Sequence, residues 1–207
     1  KLAAGGFKDH AGNDLSVSPA AEANKSTSFT ADTTAPAVES YDFNMDTSEL
    51  TILFTEPVKA SSLVRSEITI MNAQSGSKTL TLADGTDTNP GTSSANGRTI
   101  VVDITSDDIN TIKTSQFATA KADTFLSFSN AFITDLARSP VKITAVVASG
   151  ALEADTYVVD GTDPKLGAFS FNLETGKISL TFNEPVKPAS LKPADLKFQG
   201  GATADTI

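Results

Sequence analysis

Apolar residues in this chain recur at every second position far more often than at helical spacing. Leu50, Ile52 and Phe54 fall on one side of an extended segment while Thr51, Leu53 and Thr55 fall on the other. Ile178, Leu180 and Phe182 repeat the pattern, and Ile68 with Ile70, Leu80 with Leu82, and Ile100 with Val102 and Ile104 extend it. Phe125 and Phe128 belong to another extended run, and Val141, Ile143 and Ala145 to a further one. Period-2 alternation is the mark of half-buried β-strands. Turn-forming residues punctuate the runs, above all the Gly-, Asn-, Thr- and Ser-rich stretch from Asp84 to Gly97. Short strands at this spacing predict an all-β fold, an antiparallel β-sandwich. Its expected core is Phe43, Leu50, Ile52, Phe54, Ile68, Ile70, Leu80, Ile100, Val102 and Phe128.

Helical spacing appears only briefly. Ser106 to Lys113 begins with a capping residue and two acids, and Ile109 and Ile112 share one face. Ala60 to Leu63 and Pro188 to Leu191 read as single turns. Pro57 and Pro185 cannot donate to a ladder, so each is expected to end its strand.

The pattern is also periodic on a longer scale. Asp32–Ile70 aligns without a gap on Asp160–Phe198, with 13 of 39 positions identical. Among the identities are Asp32 with Asp160, Thr34 with Thr162, Pro36 with Pro164, Asn44 with Asn172 and Glu56 with Glu184. Repeats of this kind stack so that each unit contacts mainly its neighbours. The expected organisation is the end of one repeat over residues 1–31, a complete repeat over 32–159 and the start of another over 160–207. A chain that starts and stops inside units is expected to continue in a longer polypeptide. Pro36 and Pro164 should make the joints short and stiff, because proline fixes its own φ and restricts the residue before it.

Phe54-Thr-Glu-Pro-Val58 and Phe182-Asn-Glu-Pro-Val186 resemble a strand of the bacterial Ig-like repeats found in surface-layer proteins and adhesins. The Asp32-Thr-Thr-Ala-Pro36 opening and the Asp9-His-Ala-Gly-Asn13 turn are similar to the start and closing turn of such units. Asp135-Leu-Ala-Arg-Ser139 departs from that turn, lacking its Gly and Asn. The resemblance implies Ig-like tandem sandwiches with a short inserted helix, as in very long cell-surface proteins of bacteria, algae and protists. The role it implies is structural or adhesive, in an extracellular filament or surface array whose partners are neighbouring repeats, copies of the chain, and glycans.

Composition narrows the alternatives. A net charge of −9 with scattered basic residues disfavours nucleic acid. Without cysteine there are neither disulfides nor thiolate metal sites. No apolar run reaches the roughly 18 residues of a membrane span.

Catalysis finds little support. His10 is the only histidine, and its repeat counterpart is Leu136. Glu56 and Glu184 sit in different repeats without an obvious second carboxyl, and each is expected to cap a strand end or to pair with a nearby lysine such as Lys59 or Lys187. Closely spaced aspartates in loops suit a hard cation, so Asp160 with Asp163 and Asp84 with Asp87 are candidate calcium ligands. Asn24 opens a glycosylation sequon. The competing reading is a carbohydrate-binding or stalk module of a secreted multidomain enzyme. Sugar stacking would fall to Tyr41 and Tyr157, because the chain has no tryptophan.

Overall fold

The computed structural model describes residues 8–14, 26, 28–84 and 91–197. The chain divides into two compact units, Lys1–Thr33 and Thr34–Ile207. In the first, Asp9 organises a tight turn. Its Oδ1 accepts from the Ala11 and Asn13 amides at 2.9 and 2.8 Å, and its Oδ2 from the Asn13 side chain at 2.8 Å. Gly12 closes that turn at φ +87°, a conformation that suits a residue without Cβ. His10 is exposed in the same turn.

The second unit contains β1 (Val38–Asn44), β2 (Glu49–Val58), β3 (Ile68–Met71), β4 (Thr79–Thr81) and β5 (Gly97–Asp103). The helix α1 (Ser106–Ser115) follows, then β6 (Phe125–Phe128), β7 (Leu152–Glu153), β8 (Thr156–Val158), β9 (Leu166–Asn172) and β10 (Lys177–Phe182). One four-stranded sheet has the order β5-β2-β1-β8 and another β4-β3-β6-β7. All their pairings are antiparallel except β1 with β8. β9 and β10 form a separate antiparallel hairpin.

Alternation explains how the two sheets meet. Leu50, Ile52 and Phe54 are fully buried, as are Ile100 and Val102 beside them in β5. Ile68, Ile70, Leu126 and Phe128 of the other sheet join the same core. Of the expected core only Leu80 stands partly outside, at the sheet edge, while Leu82 two residues on is buried. Phe132 was not singled out by alternation, yet its ring packs 5.2 Å from Phe128 and 6.2 Å from Phe54.

Several local expectations shift. The helix is capped by Thr105 rather than Ser106: the Thr105 hydroxyl accepts from the Asp108 amide at 3.1 Å. Ile109 and Ile112 are buried as their spacing predicts. β2 continues through Pro57 to Val58, because its pairing with β5 is irregular between Leu53 and Val58 and asks no donor of the proline. Around Ile143 the chain makes only isolated bridges, and Val146 rather than Ala145 packs on the core.

The two aligned segments share their backbone features. Val38, which opens β1, aligns with Leu166, which opens β9; Glu49 and Lys177, which open β2 and β10, align in the same way. Val38 opposes Phe54 and Phe43 opposes Leu50; Leu166 opposes Phe182 and Phe171 opposes Ile178. The single 3-10 turns Ala60–Ser62 and Pro188–Ser190 keep the same spacing. Ser48 and Gly176 occupy equivalent left-handed positions, at φ 62° and 64°. Asn44 Oδ1 accepts from the Thr47 amide, and Asn172 Oδ1 from the Thr175 amide, which accounts for the shared asparagine in that turn. One environment does differ. Phe169, Phe171 and Leu196 are exposed, whereas their counterparts Tyr41, Phe43 and Ile68 are buried.

Candidate functional site

A cluster of charged side chains lies where the segment after β8 meets α1. Lys113, in the last turn of α1, reaches Asp160 Oδ2 at 2.8 Å and Glu184 Oε2 at 2.7 Å. The side chains are 19%, 29% and 11% exposed respectively, so water screens this triad less than an open surface pair. Its place follows from α1. The apolar face with Ile109 and Ile112 docks on the core, which brings Lys113, one residue past Ile112, to the rim. A cation also suits the C-terminal end of a helix.

Asp46, in the turn after β1, completes the arrangement. Its Oδ1 accepts from the Gly161 amide at 3.0 Å and the Thr162 hydroxyl at 2.9 Å. Those bonds, chiefly the one from Gly161, hold the Asp46 carboxyl below its ordinary pKa. For Lys113, burial pulls the pKa down, but the bonds and charges of Asp160 and Glu184 outweigh it and raise the net value above 10.5. The groups border a small cleft of about 160 Å³, and Glu184 Oε1 is buried there without a hydrogen-bond partner. Chemically, the arrangement is an ammonium held by two carboxylates, with a third carboxylate tying down the chain that delivers them.

Glu184 therefore pairs with Lys113, from outside its own repeat, and not with Lys187. Glu56, its counterpart, has a different neighbour: a carboxylate oxygen of Asp135 lies within 4.8 Å of one of its own. Asp135 is almost fully buried; Oδ1 accepts from the Val141 amide at 2.7 Å, while Oδ2 has no hydrogen-bond partner. Asp135 thus braces its loop as Asp9 braces the shorter turn, despite the missing Gly and Asn. Glu56 and Asp135 are thus two carboxylates of this unit brought within 4.8 Å of each other.

The other candidate residues are dispersed. Asp160 already carries the Lys113 ammonium, and Asp163 is exposed three residues on. Asp84 accepts from the Ser66 amide at 3.0 Å, which lowers its pKa. Asp87 and Asn24 lie outside the described residues. Tyr41 offers no free ring face, and Tyr157 is partly exposed. Tyr41 is buried, with its hydroxyl 2.8 Å from the Thr124 carbonyl. Tyr157 packs edge-on against Phe43 and donates to the Ala118 carbonyl at 2.7 Å. Burial, then the charges of Asp123 and Asp160, push the Tyr157 hydroxyl up to about 12. Sequence reasoning missed Lys113 as a site residue; its position one residue after Ile112 on an amphipathic helix was the available signal.

Comparison with family models, curated proteins and solved structures finds no match. No described helix is long and apolar enough to cross a membrane.

Proposed function

We propose that this chain is a structural segment of an extracellular filament or cell-surface protein, built from Ig-like sandwich repeats that act by reach and packing rather than turnover. The observation that carries this reading is the return of β1, β2 and their pairing register, in the aligned segment, as β9 and β10. A backbone that recurs along the chain, joined by a short segment with its own ion pairs, suits a modular rod. Neighbouring repeats and further copies are its proposed partners, with glycans or adhesion ligands on the Thr- and Ser-rich surfaces. We rank the carbohydrate-binding alternative second, because the hydroxyls of Tyr41 and Tyr157 are engaged within the unit.

The test is to produce residues 32–159 singly and as two, three and four tandem copies, and to measure particle length by small-angle scattering. Length growing by a constant increment per copy is the expected result. Compact globules of tandem copies, or turnover of polysaccharide or peptide by the single repeat, would overturn the reading.

A further inference from the structure

The loop after β8 enters the next repeat through Asp160, Gly161 and Thr162, and each of these residues is held by a side chain of the complete repeat. Lys113 takes the Asp160 carboxylate, and Asp46 takes the Gly161 amide and the Thr162 hydroxyl. Further downstream, Glu184 returns from the far side of the β9–β10 hairpin to the same ammonium. Two points on the following repeat, distant in sequence, are thereby fixed to one atom of the preceding repeat. Two contacts on separate segments restrain rotation about the connecting chain, which a single contact does not.

We propose that Lys113 and Asp46 form a docking socket for the next repeat, in which the Lys113 ammonium is the built-in cation of the joint. Three observations support it. The plug residues Asp160, Thr162 and Glu184 are among the positions the repeats share, as Asp32, Thr34 and Glu56. Two carboxylates brought to one point repel each other unless a cation stands between them, and α1 supplies one covalently. The cation is positioned by the burial of Ile109 and Ile112, so its placement is set by the core and not by the loop it binds. The partner this surface fits is therefore specific: a following repeat that opens with Asp-x-Thr and carries a glutamate in its Glu-Pro-Val segment. A repeat lacking either carboxylate would leave the ammonium half-satisfied and the connection free to pivot.

The inference rests on the repeat reading for the identity of the plug, but its test is separate. Tandem repeats could still give a constant length increment with a joint held in another way. The experiment uses the whole chain and measures native-state amide exchange by NMR in Lys113→Met, which keeps the aliphatic stem and removes the charge, in Glu184→Gln, and in the double variant. Lys113→Met is expected to speed exchange at Gly161 about 10- to 100-fold while the amides of β2 keep their protection, the range for losing bonds between charged partners. In the Lys113→Met background, Glu184→Gln is expected to add little or to restore part of the protection, because it removes a carboxylate left without its cation. Gly161 exchange unchanged in Lys113→Met, or additive effects of the two substitutions, would overturn the proposal.

Discussion

Glu56 and Glu184 hold the same place in the two aligned segments and meet different neighbours. Glu184 meets an ammonium, whereas Glu56 lies within 4.8 Å of the Asp135 carboxylate, whose Oδ2 has no hydrogen-bond partner. Asp135→Asn keeps an oxygen for the Val141 amide and can turn an amide donor toward Glu56. In chelator-treated buffer this substitution is expected to raise stability by about 1 kcal/mol, because it removes a buried carboxylate oxygen that has no hydrogen-bond partner. Denaturant midpoints with and without added calcium check it. A loss of stability in chelator would refute the expectation, and a loss seen only with calcium would locate a cation between the two carboxylates. Residue identity is informative here only in part. The glutamates were visible as a shared position, but their neighbours come from Asp135 and Lys113, neither of which lies in the aligned segments. The converse also occurs. Ala37 and Thr55 exchange bonds through Thr55 Oγ1, and Lys165 and Asn183 do so through Asn183 Oδ1, so one backbone clasp survives a complete change of residues.

Strands were the most legible elements, because alternation reports directly which face is buried. Leu50, Ile52 and Phe54 follow it without exception. Where the ladder is irregular the signal slips, as at Val146 and through Pro57, because a bulge or an isolated bridge breaks the two-residue phase. Capping was misplaced by one residue since Thr105 and Ser106 are both competent caps, and only the bond to Asp108 decides between them. The paired hairpins give a prediction at this scale. Ile52 is fully buried between the sheets, and its counterpart Leu180 is half-buried on a hairpin whose neighbours Phe169 and Phe171 are exposed. Ile52→Ala is expected to cost about 2–5 kcal/mol, and Leu180→Ala less than about 1 kcal/mol. Chemical denaturation followed through the core checks both, and equal costs would mean that the β9–β10 hairpin is covered as fully as β1 and β2.

Across the whole chain the net charge is −9, and the joint spends one lysine on two carboxylates. Acid should therefore act there through identifiable groups. Asp46 has its folded pKa depressed below 3.8, first by the Gly161 amide and then by the Thr162 hydroxyl. A depressed carboxyl contributes stability that is present above the unfolded value and disappears as pH falls through the folded one. Lys113 is shifted the other way: its contribution is complete below 10.5 and disappears only as pH rises through its raised folded value. The Asp46 contacts are thus expected to persist to below pH 3.8 on the acid side, and the Lys113 charge to persist above pH 10.5 on the alkaline side. As Asp46 takes up its proton on the acid side, its contacts to Gly161 and Thr162 should loosen. The Gly161 amide hydrogen reports this directly, since it donates to Asp46 Oδ1 at 3.0 Å. Its NMR shift is expected to titrate with a midpoint below 3.8, the ordinary aspartate value from which Asp46 is lowered, and Asp46→Ala should abolish that transition while leaving the β1 and β2 amides in place. A Gly161 midpoint at or above the value of a free aspartate would mean that Asp46 gains nothing from its contacts and that the connection is held elsewhere.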